Sequence, residues 1–399
     1  MSVPATGTNE TTGEEWRQSL LQVYDRACDR IASVATRHDG TGNFPHVTDG
    51  ARWRTWPADI YAGWEGDKWS HGNWTCGFWV GLLWLAYLRT RESRFETWAR
   101  SFGDLVAPRQ SDSNTHDIGF VFYPSFALGA WVTGDDKLRA PAIEAAKTLV
   151  TRFNPLGGYL QAWGPLDHPL ARRSTAIDTM MNLPLLWWAA HETGEHGFAE
   201  VARVHAETSA RYYLRPDGSS FHTFEFDPES GQAIGGGTYQ GADTDSAWSR
   251  GIAWGIAGWA LAYREHRDEF FLEAAERAAA YYVGAVPADL VPPWDFTDQS
   301  PTAPKDSSAT AIVANGFLVL AEMHPDPLKR AYYRALAEAM VASMASGYTD
   351  WETEEQEGIL LHSAYSVPHQ EGVDSAVMWG DWYFLRAVAA LTSGPVPIP

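Results

Sequence analysis

Cysteine is scarce in this chain: Cys28 and Cys76 are the only two among 399 residues. Two thiols cannot staple a protein of this length, so its stability has to come from a buried core. They also lack zinc spacing, and no histidine pair at helical spacing comes with a third ligand. Neither a metal nor another cofactor is expected. Positive charge is in short supply too. The 30 Lys and Arg face 50 Asp and Glu, a formal charge of −20, which argues against a nucleic acid or an anionic membrane as partner. Screening confines distant charges to about 8 Å at physiological salt, so one local cation can still hold a short acidic ligand. No apolar run reaches the roughly 20 residues needed to span a bilayer; Trp74 to Leu88 is shorter and broken by glycines. Met1 to Glu15 is polar with no apolar signal core, and the chain reads as cytoplasmic. Gly235-Gly236-Gly237 is followed by no Lys that would make it a phosphate loop, and reads as a plain turn.

What is abundant is apolar. Hydrophobic residues make up 45% and there are 20 Trp, enough for a large core. Two kinds of helical segment alternate. The polar, amphipathic kind covers Glu15–Ala35, Ser93–Val106, Lys137–Arg152, Phe198–Tyr213, Asp268–Val283 and Leu328–Ser346. The other kind, apolar almost all round, covers Trp74–Leu88, Ile118–Val132, Thr175–His191, Thr244–Arg264, Ser307–Glu322 and Val373–Leu391. A helix apolar all round has to be buried, and an amphipathic one can cover it. Strict alternation therefore predicts an all-α (α/α)6 toroid of six helical hairpins, with an inner and an outer ring. It is expected as one domain over 15–399 behind a flexible tail over 1–14.

Short Gly- or Pro-containing links such as Thr133-Gly134-Asp135-Asp136 and Thr193-Gly194-Glu195 join inner helices to outer ones. The long segments fall at the other end: Asn43–Asn73, Asn154–Ser174, Pro216–Asp243, Val286–Asp306 and Gly347–Gly372. Long loops on a rigid scaffold are where function concentrates. Short β-hairpins are expected in them, with turns at Arg215–Ser219 and Asp227–Gly231 flanking the alternating Phe221–Phe226. Glu352, Glu354, Glu355 and Glu357 read as a solvated loop.

At that loop end, two inner segments each set a carboxylate into an apolar run: His116-Asp117-Ile118-Gly119-Phe120 and Ile177-Asp178-Thr179-Met180-Met181-Asn182. Burial disfavours the charged form, so such acids hold a proton near neutral pH, as proton transfer to a sugar requires. Helix capping or pairing with an Arg is the competing structural role.

Further motifs run in order along the chain: Trp74–Trp79, Phe221–Phe224, Thr238–Gly241, Asp245–Trp254, Pro293–Phe296, Leu361–Ser363 and Gly380–Tyr383. Together with the two acids they resemble the unsaturated glucuronyl hydrolases of glycoside hydrolase family 88, from about Trp74 to Leu391. The resemblance implies a toroidal enzyme that takes a 4,5-unsaturated uronic acid off the non-reducing end of lyase-generated oligosaccharides. The expected partner is thus a small, unsaturated, acidic oligosaccharide. The implied reaction protonates C4 of the enol ether and adds water at C5. By motif, Asp178 is the general acid/base and Asp117 a second essential acid that holds ring hydroxyls and raises its partner's pKa. His222, Gln240, Arg250 and Trp254 match substrate-binding positions, with Trp74 or Trp79 and Trp163 as stacking positions. Tyr239 stands where the family commonly has His, beside Gln240. Ser363 and His362 belong to the segment Ile359 to Asp374, which has no Lys or Arg where relatives that accept sulfated sugars place a cation. That points to a preference for unsulfated substrates.

The same residues also fit structural roles. Arg250 could neutralise Asp243 or Asp245, His222 could be a satisfied structural histidine, and Trp79 and Trp254 could be core. Three other functions remain compatible with the pattern. They are an unsaturated rhamnogalacturonyl hydrolase acting on pectin fragments, a conventional inverting glycosidase, and a helical-repeat binding scaffold.

Overall fold

The computed structural model describes residues 9–59 and 72–394. Its helices are α1 Asn9–His38, α2 Cys76–Thr90, α3 Ser93–Val106, α4 Ile118–Phe122, α5 Leu128–Thr133, α6 Asp136–Val150 and α7 Leu183–Thr193. They continue with α8 His196–Tyr212, α9 Ser249–His266, α10 Glu269–Ala285, α11 Ser307–Met323, α12 Pro327–Gly347 and α13 Met378–Ser393. Adjacent inner and outer helices pack as α2 with α3, α4 and α5 with α6, α7 with α8, α9 with α10, and α11 with α12. The sixth hairpin is made by the two ends of the chain, α13 inside and α1 outside, and α2 packs on α13 to close the ring. This is the expected (α/α)6 toroid. The inner helices are buried on every side, as Cys76 to Ala86 and Ser249 to Tyr263 show.

Capping sets the hairpin links. Asp135, Asp268 and Asp326 each accept an amide from the first turn of the outer helix that follows. Gly134 and Gly194 end their inner helices in the left-handed conformation, at φ 70° and 74°. The loop end carries the strands β1 Asn43–Asp49, β2 Arg52–Pro57, β3 Phe153–Asn154, β4 Tyr159–Leu160, β5 Ser174–Ala176, β6 Thr223–Phe226 and β7 Ala233–Gly237. β5, β6 and β7 form one antiparallel sheet; β1 pairs with β2, and β3 with β4.

Several boundaries differ from expectation, each for a physical reason. Helix α1 begins at Asn9, so part of the expected tail is helical; Met1 to Thr8, and Ile60 to His71 of the first long loop, lie outside the described residues. Pro124 breaks the inner helix expected over Ile118–Val132. It has no N–H to give the preceding turn, and a π-helical turn over Tyr123–Ala127 replaces regular helix. Pro184 sits in the first turn of α7, where its missing N–H costs nothing. Ahead of it Thr175 and Ala176 are strand instead of helix. Helix α9 starts at Ser249, not Thr244, because Asp295 pulls the preceding segment into its own hydrogen bonds with Ala242 N, Ser246 Oγ and Ala247 N. Gly235 to Gly237 form strand, not a turn. A Cβ on Gly236 would come within 2.4 Å of the Phe221 ring, so glycine is what lets β7 lie against it. Glu357 is buried instead of solvated, accepting the Trp53 amide at 2.7 Å and pairing with Arg52 and Arg37.

Candidate active site

The two acid-bearing segments are fastened to each other. Asn182 Oδ1 accepts the Phe120 amide at 2.7 Å, and Asn182 Nδ2 donates to the Asp178 carbonyl at 3.3 Å. His116 Nδ1 meets the Thr179 hydroxyl at 2.6 Å. Gly119 permits the approach, since a Cβ there would lie 2.5 Å from Asn182 Cα. Asp117, immediately before α4, and Asp178, in a 3-10 turn over Ile177–Met181, thereby enter the wall of one cavity of about 400 Å³. That is the size of a small-ligand site.

Trp74, Phe120 and Tyr365 line its enclosed part, and Leu170, 57% exposed, marks the mouth. Trp74 Nε1 reaches the Tyr365 hydroxyl at 3.2 Å. The pleat of β6 contributes Thr223 and Glu225 to the cavity while Phe224 and Phe226 turn into the core. Trp163 sets its ring edge-on to His116, with centroids 5.7 Å apart.

The electrostatics separate the two acids. Asp117 is 6% exposed. Burial and the negative charge of Asp178 push its carboxyl up from 3.8 to about 7, against the pull of the Thr115 hydroxyl, which donates at 3.1 Å. For Asp178, burial acts upward too, but His222, His116 and Arg250 outweigh it and hold the carboxyl below the usual range. The sequence led to the opposite expectation, with Asp117 raising its partner. The reason for the reversal is that burial and the charge of Asp178 at Asp117 outweigh the pull of Thr115, Arg109 and Arg152, whereas His222, His116 and Arg250 outweigh burial at Asp178.

The orientation of His222 follows from its neighbours. Its Nδ1 accepts the Tyr239 and Gln240 amides, both at 3.1 Å, so in the neutral ring the proton sits on Nε2. Nε2 stands 3.4 Å from Asp178 Oδ2, too long for a full hydrogen bond. Asp178 Oδ2 is buried and has no hydrogen-bond partner among the described residues, although the Asp178 side chain as a whole is 18% exposed. An orphaned carboxylate oxygen in a cavity is a contact kept for a ligand.

Two enclosed acids with divergent pKa values suit glycoside chemistry, and similarity points the same way. The family model described as Glycosyl Hydrolase Family 88 matches residues 51–342. The chain belongs to glycoside hydrolase family 88. The enzyme is 38% identical to the unsaturated glucuronyl hydrolase of Bacillus sp. (strain GL1) over 387 residues, covering 95% of this chain and 97% of that one. It is 37% identical to the unsaturated chondroitin disaccharide hydrolase of Streptococcus pneumoniae (strain ATCC BAA-255 / R6), over 83% of each chain. The crystal structure of the Bacillus sp. GL1 unsaturated glucuronyl hydrolase matches with a TM-score of 0.86 at 35% identity, covering 96% of this chain and 98% of that chain. Membership of a hydrolase family sets aside the reading as a binding scaffold.

In this glycoside hydrolase, seven of the residues singled out from sequence line the cavity together: Asp117, Asp178, His222, Gln240, Tyr239, Trp163 and Trp74. Five do not. Arg250 is buried against Asp306 at 2.6 Å and also donates to the Ala364 and Tyr365 carbonyls, so neither Asp243 nor Asp245 is its partner. Its guanidinium is taken up by structure and holds the 364–365 backbone beside the site. Trp254 lies beneath the cavity against Phe120 and Tyr383, with centroids at 5.3 and 5.5 Å. Trp79 packs edge-on to Phe102, deep in the core. Ser363 is buried, its hydroxyl 2.7 Å from that of Ser307. His362 is turned to Asp374 at 2.6 Å.

Phe120, Tyr365, Thr238, Glu225, Leu170, Ser174 and Arg173 line the cavity without having been singled out as site residues. Their traces in the sequence are weaker: Phe120 and Thr238 lie inside quoted motifs, Leu170, Arg173 and Ser174 in the long segment Asn154–Ser174, and Glu225 and Tyr365 within two positions of Phe224 and Ser363.

Proposed function

We propose that this enzyme removes a 4,5-unsaturated uronic acid from the non-reducing end of lyase-generated oligosaccharides by hydrating its C4=C5 bond. The observation that carries the reading is the pair of enclosed acids, one holding a proton near neutral pH and the other keeping a buried oxygen without a partner. The two titrate as a unit. The incoming uronate is itself an anion and displaces water, which makes an ionised Asp178 costlier and draws the shared proton onto it. Asp178 then donates that proton to C4. The positive charge left at C5 is shared with the ring oxygen, and Trp163, Trp74 and the carboxylates surround it. Water attacks C5 and gives its proton to Asp178. The hemiketal opens at the bond between C5 and the ring oxygen, and the open chain releases the remaining sugar with its glycosidic oxygen intact. His222 keeps an N–H aimed at Asp178, while Gln240 and Tyr239 present hydrogen-bonding groups to the sugar.

The assay is loss of the conjugated double-bond absorbance on a panel of lyase-generated disaccharides, run in heavy-oxygen water. Label is expected at C5 of the uronate product and absent from its C1, where direct displacement at the anomeric carbon would place it. Efficient hydrolysis of a saturated glucuronide would instead favour ordinary glycosidic displacement. Action in the cytoplasm is part of the proposal. Cys28 and Cys76 are buried free thiols, which suits a reducing compartment, and no described helix is long and apolar enough to cross a membrane.

A further inference from the structure

Arg173 lines the cavity beside Leu170, Ser174 and Glu225, and the mechanism above makes no use of it. It closes the 3-10 turn Ala171–Arg173 directly before β5. Its Nε is buried without a hydrogen-bond partner; among the described residues its guanidinium forms no salt bridge, and its charge acts on Asp227 only from beyond ion-pair distance. Cations on neighbouring loops are occupied: Arg172 by Glu229 at 2.7 Å, Lys305 by Asp289 at 2.9 Å, and Arg250 by Asp306. A guanidinium left with open donors in a cavity wall is a receptor for a planar or tetrahedral oxyanion.

Its position says which part of the substrate it meets. Exposure falls along the chain from Arg173 and Ser174, half-buried, to Thr175, Ala176 and Ile177, all buried. The strand therefore runs inward from the mouth to Asp178. The three extended residues Ser174 to Ala176 span roughly 10 Å, more than one sugar ring. With the unsaturated ring at the acids, Arg173 stands beside the sugar that follows it. We propose that Arg173 binds an anionic substituent, sulfate or carboxylate, on that second sugar and so sets substrate choice. This rests on the proposed function. It places the discriminating cation on the β5–β6 wall, away from the segment Ile359 to Asp374, whose lack of Lys and Arg had suggested a preference for unsulfated sugars. Glu225 shares the wall and opposes an anion, so the two residues tune the preference in opposite directions.

The test uses three unsaturated disaccharides identical except for a neutral, sulfated or carboxylated second sugar. For each, kcat/KM is divided by that of the neutral member. In Arg173→Gln the ratio for the anion actually recognised should fall roughly ten- to a hundredfold, the size of a charge-assisted contact, and mainly through KM. Arg173→Lys should recover part of it, and Glu225→Gln should raise it. Whichever ratio collapses tells sulfate from carboxylate. Ratios unchanged in Arg173→Gln, or all three substrates losing equally, would overturn the assignment. Wild-type enzyme inactive on every member would instead overturn the proposed function on which it rests.

Discussion

Replacing Asp117 by Asn should silence the enzyme while making it more stable, and the gain should depend on pH. In the unfolded chain this carboxyl ionises near 3.8; in the folded protein burial and the charge of Asp178 move it to about 7. A raised carboxyl contributes most below its unfolded value, and that contribution is lost as pH climbs toward the folded one. Three pH units correspond to ~4 kcal/mol, an upper figure because water in an open cavity softens the penalty. Wild type should thus give up as much as ~4 kcal/mol through this residue between pH 4 and pH 7, with no further change above. Asparagine has nearly the same shape, its amide oxygen can still accept from Thr115, and it carries no charge at any pH. Asp178 acts in the opposite sense: its depressed pKa gives stability that is lost at low pH. Because the two titrate as a unit, the difference between the curves reports the pair, and the loss of Asp117 is its larger part at neutral pH. Urea unfolding of both proteins at several values between pH 4 and pH 8 measures the effect. Equal stability near pH 4, with the variant pulling ahead toward pH 8, is expected. Parallel curves across the range would refute the argument, because Asp117 would then ionise in the folded state as it does in the unfolded one.

Asp178→Asn should lower turnover by at least ~10²-fold with an unchanged circular dichroism spectrum, since the amide cannot donate to C4; wild-type turnover would remove Asp178 from the mechanism. Gly119→Ala should cost ~1–3 kcal/mol in unfolding experiments, as overpacking does. It should also depress kcat, because the new Cβ pushes on Asn182 and spreads the two acids; an unchanged midpoint and kcat would show that the clamp is slack. His222→Gln should shift the limb of the pH–rate profile governed by Asp178 upward, since His222 helps hold that carboxyl low. A downward shift would reverse the assigned role.

The ring architecture was legible before any coordinates because it is written in local pattern. A segment such as Ser307–Glu322, apolar on every face, has nowhere to go but inside, and α11 occupies Ser307–Met323. Loop length then marked the functional end, and an acid at the start of an apolar run marked Asp117 and Asp178. Periodicity fails where one residue overrides it, as Pro124 does in splitting the second inner helix.

Tertiary structure alone decided which side chains share the cavity, because that depends on partners far apart in the chain. Arg250 matched a substrate-binding position by motif, with Asp243 or Asp245 as its structural alternative, and Asp306, 56 positions away, is what its guanidinium pairs with. Trp74, Trp79 and Trp254 all belong to quoted motifs at the starts of inner helices, and packing sends Trp74 to the cavity and the other two to the core. The protonation order of the two acids is likewise unreadable from sequence, since it depends on which carboxylate the amides of Tyr239 and Gln240 turn the His222 N–H toward. Local pattern records whether a residue is buried. What it is buried against is set by the closing of the ring.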